Sequence, residues 1–221
     1  MKILDLKLEA NNLDTILEFY SETLGLKILE QTPTALRFQA GDTQLTFIAK
    51  STTKAQYHFA FNIATNHVNQ AIEWAQTTGL MLLPSPKDET ITYFDTWKAQ
   101  SIYFWDKNGN LLEFIAREDT QIQKEVPFTP KEMLNISEIG LITKKPIATG
   151  EAIQQQIGVD FFSKATPLAE FCALGDDDGL LILVTPNRTW YPTDILAQRS
   201  PATIQVEVEG QLHTIETLDW E

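Results

Sequence analysis

The sequence repeats one structural unit, and this repeat limits the folds that are open to the chain. Each unit is a short strand of alternating polar and apolar residues, then an amphipathic helix, then further short strands. Copies begin near residues 3, 57 and 137, and a partial fourth begins near residue 202 without a helix after it. One unit cannot bury the apolar face of its sheet alone, so units must pair into a cup. The repeat predicts an α+β fold of tandem βαβββ modules that form cupped mixed sheets, with helices on the outer face.

The same repeat predicts how the chain divides. Residues 1–118 hold the first two units, which we expect to pair with each other and to carry the functional site. Residues 119–135 lose the periodicity and contain two prolines, which is typical of a linker. Residues 136–221 hold the third unit and the partial fourth, which we interpret as a degenerate half. The strand at 202–208 opens this fourth unit or, alternatively, completes the sheet of the third.

Composition excludes several classes of partner. The formal net charge of −13 is unfavourable for binding nucleic acid or an anionic membrane surface. No run of 18 apolar residues predicts a membrane span, and the alternating N-terminal segment is typical of a strand rather than a signal peptide. Cys172 is the single cysteine, so the chain forms no internal disulfide or thiolate cluster. We expect a cytoplasmic monomer or homodimer that binds a small molecule.

Equivalent strand positions in the three units carry ionisable residues. Counting back 20 or 21 residues from the glycine that ends each helix gives Asp5, His58 and Glu138. Gln44 and Glu113 lie on the last strands of the first and second units. First and last strands are central in a paired cup, and the alternation turns these side chains away from the helices. The polar side chains of the first two units are therefore expected to converge.

This set of side chains suggests a metal site. One imidazole, two carboxylates and an amide oxygen suit Fe(II), Mn(II), Ni(II) or Zn(II) better than Cu(I). Lys7 and Asn62 share the same face, and Trp97 is a candidate wall of a substrate pocket. Glu138 has no histidine beside it, and a leucine occupies the last-strand position of its unit, so we interpret that half as structural.

Two motifs resemble those of a known family. Residues 12–25 (NLDTILEFYSETLG) resemble the pattern D-L-x-x-x-x-x-F-Y-x-x-x-L-G, and residues 105–113 (WDKNGNLLE) resemble D-P-x-G-x-x-x-E, with Lys107 at the proline position. Both are typical of the vicinal oxygen chelate superfamily, which is the glyoxalase, bleomycin resistance protein and dioxygenase group. The resemblance covers residues 3–116, and residues 137–185 more loosely.

The resemblance implies residue roles. His58 and Glu113 match metal ligands of the family, and Asp5 is the expected third ligand at a position where many members have histidine. Gln44 replaces a glutamate of glyoxalase-type members, and we expect it, with Lys7, Asn62 and Trp97, to contact substrate. The matched ligand positions contain only one histidine. This weighs against an extradiol dioxygenase, which uses two histidines and one carboxylate. The resemblance assigns no catalytic residue.

Several functions remain open from the sequence. The leading hypothesis is a divalent-metal-dependent lyase, isomerase or dioxygenase that acts on a small molecule with vicinal oxygens. A metal-free protein that sequesters a small ligand, as bleomycin resistance proteins do, is the alternative, and a structural or regulatory role is the third. His58 can also be a hydrogen-bonded residue on a solvated sheet face, and Lys7 can pair with Asp5 in place of a metal. The acidic run at 176–179 is interpreted as a hairpin turn rather than a calcium loop.

Overall fold

The computed structural model describes residues 1–50, 55–186 and 188–217. The first unit consists of β1 (Lys2–Ala10), α1 (Leu13–Leu17), β2 (Lys27–Thr32), β3 (Ala35–Ala40) and β4 (Thr43–Ala49). Asn12 caps α1 through its Oδ1, which accepts a hydrogen bond from the backbone N–H of Asp14 at 2.9 Å. The helix then continues as a π-helical turn over Glu18–Thr23.

The second unit is the most regular copy of the repeat. It consists of β5 (His58–Ile63), α2 (Val68–Thr78), β6 (Leu82–Leu83), β7 (Thr92–Phe94), β8 (Ala99–Trp105) and β9 (Leu111–Arg117). The turn between β8 and β9 is organised by Asp106, whose carboxylate accepts from the backbone N–H groups of Asn108 and Asn110, each at 2.8 Å. Tyr20 of the first unit donates to the same carboxylate at 2.9 Å, so this turn is also a contact between units.

The third and fourth units are shorter. The third consists of β10 (Asn135–Ile142), α3 (Pro146–Ile157), β11 (Phe171–Asp176) and β12 (Gly179–Val184). The predicted fourth unit is a hairpin of β13 (Ala202–Val208) and β14 (Gln211–Glu216), and sequence analysis predicted only its first strand. The acidic run forms the turn between β11 and β12, as expected. Two short 3-10 turns, Glu118–Thr120 and Pro130–Glu132, interrupt the segment predicted to be a linker.

The strands form two mixed sheets, and the predicted α+β fold is confirmed. One sheet has six strands in the order β14-β13-β1-β4-β3-β2. The other has eight strands: seven run in the order β11-β12-β10-β5-β9-β8-β6, and β7 pairs with β8 off this path.

The units pair differently from the sequence-based expectation. β1 pairs antiparallel with β13 of the fourth unit, whereas β5 pairs antiparallel with β10 of the third. The expected pairing of the first two units with each other is therefore wrong for their first strands, and the fragment at 202–208 does not complete the sheet of the third unit. Every first strand presents the same free edge of backbone groups, so alternation alone does not select the partner. The division into domains at residue 118 stays a prediction.

The two sheets share one hydrophobic core. Their apolar faces and the helices contribute to a single buried cluster that includes Leu6, Phe47, Phe61 and Phe114. The opposite face of the six-stranded sheet is polar and partly exposed. The opposite face of the eight-stranded sheet carries a second apolar cluster, whose members include Tyr103, Phe162, Ile182 and Trp190. All six residues of β5 are consequently buried. Within the described residues, no helix combines the length and apolar character that a membrane crossing requires.

Candidate metal centre and substrate cavity

The imidazole of His58 is oriented by the backbone of the neighbouring strand. Its Nδ1 lies 3.1 Å from the carbonyl oxygen of Leu111 in β9, which assigns the N–H to Nδ1. Nε2 then carries the lone pair and lies 3.6 Å from Oε2 of Glu113. A histidine that donates one ring N–H to a carbonyl while its other nitrogen faces acidic groups has the arrangement of a metal ligand.

Glu113 and Glu138 complete a group of three possible donors. Glu113 lies on β9, next to β5, and Glu138 lies on β10, on the other side of β5. One potential ligand atom from each of His58, Glu113 and Glu138 lies within 4.8 Å of the others, and all three residues are buried. One nitrogen and two carboxylate oxygens at this separation fit a divalent ion of the Fe(II), Mn(II), Ni(II) or Zn(II) type.

Burial controls the protonation of this group. Desolvation lowers the pKa of His58 to about 4, so the imidazole is neutral at pH 7. Desolvation, followed by repulsion from Glu138, raises the pKa of Glu113 to about 8. Burial also raises the pKa of Glu138, although the neighbouring Arg117 opposes this shift. A metal ion that bound here would have to displace the proton of Glu113.

These shifts predict how the stability of the metal-free protein depends on pH. Glu113 binds its proton more tightly in the folded state, so its contribution to stability is lost as pH rises from about 4.5 to about 8. Burial lowers the pKa of His58, so the titration of His58 increases stability as pH rises from about 4 to 6.5. It makes no further difference to stability above pH 6.5. We therefore expect the free energy of unfolding to fall by about 1 to 2 kcal/mol between pH 6.5 and 8. Urea titrations should show this fall in the wild-type protein and a flatter profile in Glu113→Gln, and equal profiles would contradict it.

A buried arginine contacts the third donor. Arg117, at the end of β9, forms an ion pair through Nη2 with Oε1 of Glu138. Its Nη1 lies 3.4 Å from Oδ1 of Asp177, and its Nε donates to Oδ1 of Asn62 at 3.3 Å. Lys164 extends the network, because its Nζ lies 2.6 Å from Asp177 and 2.9 Å from Asp119. Buried charges are thus paired on this side of the cavity.

The three donors line a cavity of about 690 Å³ on the second face of the eight-stranded sheet. Its walls are rich in aromatic side chains, which are Tyr93, Phe94, Trp97, Tyr103, Phe171, Trp190 and Tyr191. Charged groups other than the donors also line it, namely Asp95, Lys164 and Arg188. A cavity of this size with few polar groups among apolar walls is typical of a small-molecule site.

Trp190 lies directly beside the donors because β10 has a glycine at the contact point. The Trp190 ring centroid is 5.0 Å from that of His58. A Cβ atom at Gly140 would lie 2.3 Å from the Trp190 ring, so no larger residue fits at this position. Gly140 is two residues after Glu138 and lies on the same face of the strand.

Comparison with protein families agrees with the geometry of the site and with the two motifs. The model of the Glyoxalase/Bleomycin resistance protein/Dioxygenase superfamily matches residues 2–114, just over half of the chain. The protein belongs to this superfamily. The predicted family is thus confirmed, although the two matched units lie in different sheets. No curated protein sequence matches the chain significantly.

Solved structures support the superfamily fold. A protein of Bacillus subtilis subsp. subtilis str. 168, described as a putative dioxygenase, is 18% identical with a TM-score of 0.60, and the match covers 83% of this chain and 63% of that chain. The V278E mutant of glyoxalase I from Zea mays is 16% identical with a TM-score of 0.55, and the match covers 83% of this chain and 67% of that chain. This chain thus spans less than two thirds of the Bacillus protein. At these identities, the similarity shows the fold alone.

The predicted site residues fall into two groups in the structure. His58, Glu113 and Trp97 line the cavity. Asp5, Gln44 and Lys7 lie in the six-stranded sheet, where Asp5 pairs with Gln44 across β1 and β4. The expected convergence of Asp5 and Gln44 with His58 and Glu113 is therefore wrong, because β1 pairs with β13 instead of β5. Metal binding by His58 and Glu113 stays a prediction.

Asn62 lies at the edge of the site rather than on the cavity wall. It is buried, and its amide contacts Arg117 and the backbone carbonyl of Asp177. Asn62 is not among the described residues that line the cavity, so its position does not support the predicted role as a substrate contact. Asn62 instead helps to hold the arginine that contacts Glu138.

Among the residues of the site that sequence analysis did not predict, Glu138 and Arg117 matter most for the donor group. Glu138 was placed at the position equivalent to His58, but it was interpreted as structural because its own unit contains no histidine. Arg117 was not considered, although it follows Glu113 by four residues and therefore shares its strand face. The alternation within β9 was a signal that could have identified it.

Proposed function

We propose that this protein is a divalent-metal-dependent enzyme of the glyoxalase type. It would act on a small molecule with two adjacent oxygen atoms, by lyase, isomerase or dioxygenase chemistry. The observation that carries this proposal is the buried group of His58, Glu113 and Glu138, whose donor atoms lie within 4.8 Å of one another. Superfamily membership supports it further. The expected cytoplasmic location and the monomeric or dimeric state are parts of the same proposal.

His58, Glu113 and Glu138 would hold the ion at the floor of the cavity. An ion bound there supplies Lewis-acid polarisation of the oxygens that it contacts. The orientation of His58 by the Leu111 carbonyl keeps Nε2 available without a change of tautomer. Loading the site would require the loss of the proton from Glu113.

The remaining residues of the cavity would orient the substrate and exclude water. Trp97 and Tyr191 provide aromatic surfaces against which a planar group can pack. Burial raises the pKa of Tyr103 well above its usual range, so its hydroxyl stays protonated and can donate to Glu113 or, when a substrate is bound, to a substrate oxygen. Tyr103 pairs with Glu113 across β8 and β9, which places this donor next to the proposed ligands.

Metal analysis tests the proposal directly. Protein stripped with a chelator, reloaded separately with Mn²⁺, Fe²⁺, Ni²⁺ or Zn²⁺ and then washed should retain about one ion per chain for at least one metal. Thermal unfolding should show a higher melting temperature in the loaded protein. Failure to retain any of these ions would contradict the proposal.

A metal-free binding protein is the second candidate, and one contact favours it. Arg117 provides Glu138 with a cationic partner from within the chain. In this case the aromatic cavity would sequester a small planar ligand without chemistry. Binding of aromatic probes to the chelator-treated protein, combined with no retention of metal, would support this function over the first.

A further inference from the structure

The carboxylate of Glu138 is shared between the donor group and a buried cation. The side chain of Arg117 has no exposed surface, and that of Glu138 is 6% exposed. Arginine keeps its charge even when it is buried, so Arg117 is a cation at any pH at which the protein is folded. The contact uses Oε1 of Glu138 and leaves the other carboxylate oxygen free of Arg117.

The surrounding charges balance without Glu113. Glu138, Asp177 and Asp119 are the three acids of the network, and Arg117, Lys164 and Lys98 are its three cations. Lys98 closes the network at the surface, with its Nζ 3.0 Å from Asp119. Among the residues that the structure describes, Glu113 forms no ion pair with a lysine or an arginine. Of the two carboxyl groups in the donor group, Glu138 thus has a cationic partner, whereas Glu113 has no lysine or arginine partner among the described residues.

We propose that Arg117 is a positioning residue that sets the charge of the metal centre. The charge of Arg117 neutralises that of Glu138. The group of one histidine and two glutamates then has a net charge of −1, as a group of two neutral donors and one carboxylate has. This is the charge of the two-histidine, one-carboxylate centres that bind Fe(II) in other proteins. The inference rests on the proposed function, because it assigns a role toward the metal that His58, Glu113 and Glu138 would hold.

If Arg117 sets this charge, the effect of a Glu138 substitution on metal binding depends on whether Arg117 is present. Counting His58 as neutral, Glu113 and Glu138 as −1 each and Arg117 as +1 gives a wild-type site of net charge −1. Glu138→Gln alone leaves Arg117 with only its 3.4 Å ion pair with Asp177, and the three donors together with Arg117 then have no net charge. Since a buried cation repels a divalent ion through a medium of low dielectric constant, binding should weaken steeply. Adding Arg117→Met returns the net charge to −1.

The experiment is a double-mutant cycle on Mn²⁺ binding, measured by calorimetry on chelator-treated protein. Glu138→Gln should weaken Mn²⁺ binding by at least about 100-fold, because it replaces a charged donor by a neutral amide oxygen and leaves the charge of Arg117 beside the ion. The double variant Arg117→Met/Glu138→Gln should recover to within about 10-fold of the wild-type protein. A purely structural role for Arg117 predicts the opposite, namely that the second substitution causes a further loss.

Controls separate the role of charge at Glu138 from general effects. Arg188→Met removes a cation from the wall of the same cavity, where the guanidinium contacts Phe171 and Glu170 rather than Glu138. In the Glu138→Gln background it should produce no recovery. Melting temperatures verify folding, and the double variant should melt above Arg117→Met, because removing both partners of a buried pair costs less than removing one.

Two results would overturn the assignment, and they are distinguishable. If the wild-type protein binds Mn²⁺ and the double variant binds no tighter than Glu138→Gln, Arg117 does not set the charge of the centre, and the proposed function stands. If the wild-type protein binds no Mn²⁺ or other tested ion, both proposals fall. Should Glu138→Gln not fold, Glu138→His with and without Arg117→Met carries the same expectation, because histidine is also neutral.

Discussion

Replacement of His58 by alanine should abolish metal retention. His58 is the only nitrogen donor in the group, and its Nε2 is already directed at Glu113. Loss of a residue that merely supports a ligand weakens metal binding by about 10- to 100-fold, so loss of the ligand itself should cost at least about 100-fold. Mn²⁺ titration of His58→Ala, with thermal unfolding to verify the fold, measures this effect.

Asp5→Ala is the matched control for His58→Ala. Asp5 occupies the equivalent position on the first strand of the first unit, but it lies in the six-stranded sheet beside Gln44. We expect Asp5→Ala and Gln44→Ala to bind Mn²⁺ as the wild-type protein does. Retained binding in His58→Ala together with loss in Asp5→Ala would place the metal centre in the six-stranded sheet and contradict the proposed site.

Gly41→Ala should cause a large loss of stability. Gly41 has a φ of +58° in the turn between β3 and β4, and a Cβ atom there would lie 2.1 Å from the carbonyl oxygen of Leu134. The left-handed backbone and the overlap with another backbone segment each cost about 1 to 3 kcal/mol. We expect the free energy of unfolding, measured by urea denaturation, to fall by about 3 to 5 kcal/mol.

Gly79→Ala isolates the steric part of this loss. Gly79 ends α2 with a φ of +72°, and no heavy atom lies within 4 Å of the position that its Cβ would take. Only the backbone term applies, so the expected loss is about 1 to 2 kcal/mol. Equal losses in the two variants would show that the turn at Gly41 does not pack tightly on Leu134.

The contact at Gly41 also connects the two sheets next to the site. The backbone N–H of Asp42 donates to the Leu134 carbonyl at 2.8 Å, and Leu134 in turn donates to the Asn62 carbonyl at 2.8 Å. Leu134 directly precedes β10, the strand that carries Glu138. Gly41→Ala should therefore perturb the start of β10 as well as the turn between β3 and β4.

The sequence contained most of the local information about this protein. Period-two alternation identified the first strands, and the glycines that end the helices aligned Asp5, His58 and Glu138 as equivalent positions. The motif at residues 105–113 ends at Glu113, which lies on the last strand of its unit as predicted. These features depend on backbone conformation and on neighbours along the chain, so a single sequence reveals them.

The partner of each unit was decided by tertiary structure. The first strands of all units alternate in the same way, and each offers an equivalent free edge for hydrogen bonding. Which edges meet depends on how the helices and both sheets fill a common core, and that packing involves residues far apart in the chain. The choice of β10 for β5 brings Glu138 to His58 and leaves Asp5 in the other sheet. The sequence alone thus determined the candidate donors, whereas long-range packing decided which of them lie together.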